Sequence, residues 1–212
     1  GLGTASHLYT TDLNLMFNNM DIMKIAHPYF KVCEDRRRAR IAAEAIGFPL
    51  VIKSAVREAG AKWGFVCKNE ASFNQAIIAL LEWEIWDGNP KKQQSRCTIQ
   101  PYIEGQSSSL VILFHNNQYR IISGCTERDT EIKEQVLNPL VSMYKILQLN
   151  LSAFLKINIV KTHKEISIVD INPFFKIEEM EVMFRDMQSP LLPLIPDVEV
   201  TPKGKECVVS VA

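Results

Sequence analysis

FLKINIVKTHKEISIVDINPFF, residues 154–175, decides how the rest of the chain is read. It holds two runs rich in β-branched residues, 155–160 and 165–171, on either side of the polar segment 161–164. That pattern predicts a β-hairpin. Asp170 and Asn172 sit two positions apart at the end of the second run, and a strand's period of two puts both side chains on one face of the sheet. An acid and an amide oxygen on one face, followed by Pro173, are donors that suit a hard cation such as magnesium. The same residues also suit a strand that simply ends in Asp and Asn before a proline turn. The remainder of the chain has to separate the two readings.

With 212 residues the chain is long enough for one domain, or two small ones, around a sizeable core. Lys plus Arg and Asp plus Glu are equal at 24 each, so no global field draws nucleic acid or an anionic membrane. No run has the length of a membrane span, and no signal-peptide pattern opens the chain. The five cysteines (Cys33, Cys67, Cys97, Cys125, Cys207) are odd in number and lack CxxC spacing. They point to a reducing, cytoplasmic setting and away from zinc or a disulfide framework. The chain opens on Gly1 rather than Met, which leaves room for an upstream domain or a protein partner.

Residues 1–6 read as an unstructured lead. Apolar residues at Leu13, Met16, Phe17, Met20 and Met23 have helical spacing over 12–25, with Thr11 or Asp12 as N-cap and His27-Pro28 beyond the end. A second helix is expected over 35–46, capped by Asp35 and stopped by Gly47, with Arg36, Arg37, Arg38 and Arg40 on a solvated face. Residues 48–53 form an apolar strand ending in Lys53, the loop 54–64 follows, and 65–67 resume strand character. Asn69 or Ser72 caps a helix over 73–86, broken by 87–90. Strands are expected at 97–102, 109–114 and 119–123. A helix is expected over 131–149, split or kinked at Asn138-Pro139, and a terminal helix over 177–187. A proline-rich tail at 189–202 and a strand at 207–211 complete the chain. His7, His27, His115 and His163 lie in unrelated segments and read as exposed or capping residues.

Lys53 at a strand end, followed by a loop bearing Gly60 and Gly64, can cover a polyphosphate through its ammonium and through closely approaching backbone N–H groups. In order along the chain stand Gly47-Phe48-Pro49-Leu50-Val51-Ile52-Lys53, then Gln100-Pro101-Tyr102-Ile103-Glu104-Gly105, then Asp170-Ile171-Asn172-Pro173. This resembles the ATP-grasp family, whose members usually read G-[FY]-P-hydrophobic-hydrophobic-K, E-x-[YW]-[IL]-x-G and E-[IV]-N-P. The resemblance covers about residues 10 to 185. The loop 57–64, REAGAKWG, also looks like the REGSSVG-type loop of D-alanine–D-alanine ligases, with Trp63 in the covering position.

The resemblance implies an α+β ATP-grasp fold in which two lobes clasp ATP: a lead and helix at 1–27, a first lobe at 28–95, a second at 96–188 and a tail at 189–212. Lys53 would contact the phosphates under the Gly60–Gly64 loop. Gln100, Tyr102 and Ile103 would line the adenine site, and Ser107 would stand where a ribose-binding acid is usual. Asp170, Asn172 and Asn158 would form the magnesium wall, with Lys156 in the place of a catalytic arginine. The implied activity is ATP- and magnesium-dependent ligation, in which a carboxylate is activated as an acylphosphate and attacked by an amine or similar nucleophile. Its partners would be nucleotide and a small carboxylate, not nucleic acid or membrane. Several positions depart from the family pattern. Leu13 follows Asp12 where many members carry Asp-Lys, Gln100 replaces an acid, Asn158 replaces the first metal acid, and Asp170 is one methylene shorter than the usual glutamate. These departures support an alternative, a non-catalytic nucleotide-binding module or assembly chaperone. That alternative is echoed by residues 122–129 and 168–173, which loosely match a translation-initiation-factor assembly chaperone family of the same fold.

Overall fold

The computed structural model describes residues 11–55, 64–82, 96–115, 118–126, 128–149, 151–173, 175, 198–203 and 206–211. Helix α1, Leu13–Met23, begins where the Asp12 carboxylate accepts from the N–H groups of Asn14 and Leu15 at 2.9 and 3.2 Å. Its buried Leu13, Met16, Phe17 and Met20 recur at helical spacing. Strand β1, Lys31–Cys33, is too short for its periodicity to show in the sequence. Helix α2, Arg36–Ile46, is capped by Asp35, which accepts from Arg38 N–H at 2.7 Å. It buries Ala39, Ala42 and Ala43 and leaves the arginines in solvent, where Arg38 pairs with Glu34 and Asp35. Strands β2, Leu50–Ser54, and β3, Gly64–Cys67, follow. Helix α3, Glu70–Ile77, starts three residues earlier than its apolar pattern indicates. Asn69 is its N-cap, and Ser72 closes a reciprocal capping box. The expected extension of this helix through residues 83–86 lies outside the described residues.

Strand β4, Cys97–Pro101, pairs antiparallel with β1 on one side and β2 on the other, giving a first sheet of order β1-β4-β2-β3. Thus β4, although it follows the expected boundary at residues 95–96, joins the first sheet. One face of that sheet, with Leu50, Ile52, Cys67, Cys97, Ile99 and Cys33, packs on α2 and α3. Strands β5, Gln106–His115, β6, Gln118–Ser123, β7, Ala153–Lys161, and β8, Ile166–Asn172, form the second sheet in the order β6-β5-β7-β8, all antiparallel. The hairpin expected over 154–175 is β7–β8. Leu110, Ile112, Leu155, Ile157, Ile159, Ile166, Ile168 and Ile171 point to a core shared with α1 and with the helical segment that follows β6.

That segment runs as α4, Thr130–Ile132, a wide π turn, Lys133–Leu137, and α5, Asn138–Ile146. The split expected at Pro139 appears as the widened turn before it. Pro139 falls in the first turn of α5, directly after the widened turn, which accommodates a residue without an N–H inside a continuous helical run. At the C-terminal end, β9, Val198–Lys203, pairs antiparallel with β10, Glu206–Val211, so the expected last strand has a partner within the proline-rich tail. The terminal helix expected at 177–187 lies outside the described residues. Among the described residues no helix is long and apolar enough to cross a membrane.

Candidate functional site

The faces of the two sheets that do not point into the helix-covered cores carry the residues singled out by the sequence. On the first sheet the register sets Lys53 beside both Gly64 and Thr98, and Val51 beside Gln100. Alternation explains the arrangement: Leu50 and Ile52 go to the core, so Val51 and Lys53 go to the other face. Likewise Cys97 and Ile99 go to the core, and Thr98 and Gln100 do not. Gln100 and Thr98 are nevertheless almost fully buried, and among the described residues Gln100 Nε2 and Thr98 Oγ1 have no hydrogen-bond partner. Unpartnered buried polar atoms are costly and rare. Two of them at adjacent positions of one strand face fit a polar group that the described residues do not supply.

On the second sheet, one row across β5–β7–β8 reads Ser109, Asn158, Asp170, and the next reads Val111, Lys156, Asn172. A β-bulge creates this arrangement. Asn158 pairs with Asp170 but Ile159 pairs with Ile168, leaving Val169 as an extra residue in β8. Without it, Asp170 would share the core face with Ile166 and Ile168. With it, Ile171 keeps the core, and Asp170 and Asn172 turn away. Asn158 Nδ2 donates to Asp170 Oδ2 at 3.3 Å, and Ser109 Oγ donates to Asn158 Oδ1 at 2.6 Å.

Lys53 joins the two sheets. Its Nζ donates to the carbonyl of Val169, the bulged residue, at 2.5 Å. The ammonium therefore sits one residue from Asp170 although the two are far apart in sequence. Two further contacts hold the lobes together at the start of α1: Leu13 N–H donates to Ala55 O at 2.9 Å, and Arg96 pairs with Asp12 at 3.1 Å. Leu13 itself is a core residue, 1% exposed, so the position after Asp12 serves packing.

Residues 102–105 carry the chain from the first sheet to the second. Tyr102 is exposed, and its N–H donates to Pro49 O at 3.1 Å; Ile103 is half-buried. Gly105 lies against β7, where a Cβ would come within 2.5 Å of the Lys161 carbonyl oxygen and 2.8 Å of Val160 Cγ1. Ser107 is exposed, opposite Val160, two residues along β5 from Ser109. Gly64 has similarly little room: a Cβ there would stand 2.9 Å from Lys53 Cγ and 3.0 Å from Ile52 O. Gly64→Ala must therefore displace the Lys53 stem, and thermal unfolding of this variant is expected to show a lower melting temperature, by about 2–4 °C for each kcal/mol lost. An unchanged melting temperature would mean that the stem moves aside without cost.

The structure thus brings together Lys53, Asn158 and Asp170, with Lys156 and Asn172 in the neighbouring row. Gln100 sits on the first sheet near Lys53, and Ser107 lies beyond Ser109. Gly60 and Trp63 lie outside the described residues. Sequence reading missed Thr98, Ser109 and the Val169 carbonyl. Thr98 was legible as the polar alternate to Cys97 and Ile99, whereas Ser109 required the β5–β7 register. The displaced titrations lie elsewhere. The Cys97 thiol is pushed far up by its hydrogen bond with Cys33 and by burial, the same hydrogen bond lowers Cys33, and burial raises Cys67; all three belong to the first core. The Thr126 N–H and hydroxyl hold Asp129 below the usual carboxylate range in the turn after β6. His27, expected to be exposed or capping, is an inside residue: its side chain is 5% exposed and its ring stacks on Phe17 at 5.1 Å.

As a magnesium site the donor set is thin. Among the described residues no group of three or more His, Cys, Asp and Glu side chains comes together. Asp170 supplies the one carboxylate in its row, and Asn158 directs its nitrogen, not its oxygen, toward it. These residues do not fit a cage built on two carboxylates. For a nucleotide the fit is better, since the Lys53 cation on β2 and the buried Thr98 and Gln100 polar atoms on β4 share one face of the first sheet.

No protein-family model and no curated protein matches the sequence. Solved structures do match. Phosphoribosylamine–glycine ligase from Thermotoga maritima superposes with a TM-score of 0.71 at 14% identity, over 87% of this chain and 53% of that one. A RimK domain ATP-grasp protein from Sphaerobacter thermophilus gives 0.59 at 15% identity, over 85% and 66%. An ADP complex of N5-carboxyaminoimidazole ribonucleotide synthetase gives 0.57 at 13%, over 81% and 47%. The chain spans roughly half to two thirds of the length of these proteins, as the 53%, 66% and 47% shares show. Two antiparallel sheets in this order, each covered by helices on one face, give this chain the ATP-grasp fold, similar in architecture to carboxylate–amine ligases.

Proposed function

We propose that the chain binds ATP between its two sheets, as a nucleotide-binding module of the carboxylate–amine ligase type. The observation that carries this reading is the Lys53 ammonium on the Val169 carbonyl, which sets a cation from the first sheet beside Asp170 on the second. Lys53 would hold the phosphates, with Gly60 and Gly64 in the covering loop. The unpartnered Gln100 amide would meet the base at the crossover of Tyr102 and Ile103. Ser107 would face the ribose. The lobes are assigned to residues 28–95 and 96–188, with β4 contributed to the first sheet. A reducing, cytoplasmic setting suits Cys33, Cys67 and Cys97, which form no disulfide among the described residues.

A second reading is favoured by Lys156 and Asn172, paired across β7–β8 in the row next to Asp170. In it the chain ligates a small carboxylate through an acylphosphate with magnesium. Lys156 would neutralise charge on the transferring phosphoryl group, with Asn172 paired to it and Asn158 and Asp170 in the adjoining row. Incubation with ATP, magnesium and pools of amino and carboxylic acids separates the two. Release of ADP and phosphate that depends on an added acid supports the ligase, and ATP binding without turnover supports the module. Absence of ATP binding rejects both.

A further inference from the structure

We infer that this cleft takes a nucleoside triphosphate without a divalent cation, lysine side chains meeting the phosphate charge in the metal's place. The inference rests on the nucleotide reading above and goes beyond it in naming the ionic form of the ligand. Its basis is the row Ser109–Asn158–Asp170. A carboxylate can only accept hydrogen bonds, so the side of the Asn158 amide that faces Asp170 must be its nitrogen. The amide oxygen is then turned to Ser109, whose hydroxyl donates to it at 2.6 Å. A cation placed between positions 158 and 170 would meet amide hydrogens on one side. Offering it the amide oxygen would require a flip that breaks the bond to Asp170, reverses the one to Ser109 and sets the oxygen against the carboxylate.

The neutral amide thus does two things. It removes one of the negative charges that would attract a divalent ion, and it occupies an oxygen of the remaining carboxylate with an internal donor. Around this row the positive charge is the protein's own. Lys53 Nζ reaches the Val169 carbonyl from the opposite sheet. Lys156 lies two residues from Asn158 on the same strand face, about 7 Å along β7. An ammonium is an effective point-charge partner for phosphate, and two of them flank the place where the metal wall would otherwise stand.

The test is ATP titration of the full chain by calorimetry, once in excess EDTA and once in excess magnesium. The expected result is binding in EDTA with a Kd within about threefold of that in magnesium, a difference of less than 1 kcal/mol. Binding that appears only with magnesium, or tightens about tenfold or more, overturns the inference while leaving the nucleotide reading intact. No binding in either condition overturns both. Asn158→Asp restores a second carboxylate. It is expected to weaken ATP binding in EDTA and to make magnesium tighten it by about tenfold, since ligand charge sets the affinity of such sites. A folded Asn158→Asp protein that stays indifferent to magnesium would show that the amide is not what excludes the ion. The wild-type comparison needs no variant and stands even if that substitution prevents folding.

Discussion

Lys53→Ala is expected to remove nearly all of the rise in melting temperature that saturating ATP gives the wild-type chain. The reasoning starts from alternation in β2. Leu50 and Ile52 are fully buried in the first core, so Lys53 must leave on the opposite face. There its stem runs past Gly64 and its ammonium bonds the Val169 carbonyl. A ligand present at a hundred times its Kd stabilises a protein by about 2.7 kcal/mol. For a chain of this size that corresponds to a rise of about 5–11 °C. A charge-assisted contact to phosphate contributes on the order of 1.5–3 kcal/mol. Losing about a hundredfold in affinity at the same ATP concentration leaves only about 0.4 kcal/mol of stabilisation, a shift of about 1 °C. The ligand-free variant also loses the bond to Val169, so the measurement is the difference with and without ATP for each protein. A full shift in the variant would remove Lys53 from the site.

Gly105→Ala is expected to have a large effect on stability itself. The glycine lies where the chain passes from β4 into β5, and a Cβ would fall 2.5 Å from the Lys161 carbonyl oxygen, with Val160 Cγ1 at 2.8 Å. The nearest obstacle is backbone at the end of a central strand rather than the tip of a flexible side chain. Relief must come from shifting the crossover away from β7, and overpacking of this kind costs about 1–3 kcal/mol or more. Thermal unfolding should show a fall of at least several degrees, about 2–4 °C for each kcal/mol. ATP affinity should drop as well, because residues 102–105 connect the sheet that holds Gln100 to the sheet that holds Asp170. A variant as stable as wild type would show that the crossover can slide without cost.

Much of this architecture is legible in the sequence, for identifiable reasons. The hairpin over 154–175 shows because apolar residues alternate on both sides of a polar turn. Helices α1 and α2 show because Asp12 and Asp35 precede residues at helical spacing. What is hidden depends on register or on very short elements. Strand β1 has three residues and no period of its own. The bulge at Val169 leaves one trace, a spacing of three between the buried Ile168 and Ile171 where two is expected. Read as a plain alternating strand, residues 165–171 would send Asp170 to the same face as Ile166 and Ile168. Its placement away from the core is a product of pairing with β7. The substitution at Asn158 is visible in the sequence, but its consequence is not. Only the register brings Ser109 and Asp170 to opposite sides of its amide and fixes which way that amide points.

Equilibrium dialysis of the full chain against labelled ATP tests the central claim, that a nucleotide occupies the cleft between the two sheets. The account predicts retention of about one ATP per chain, as for a single preformed cleft, competed by unlabelled ADP and lost in Lys53→Ala. No retention by the wild-type chain at millimolar ATP, or equal retention by the Lys53→Ala variant, would contradict it.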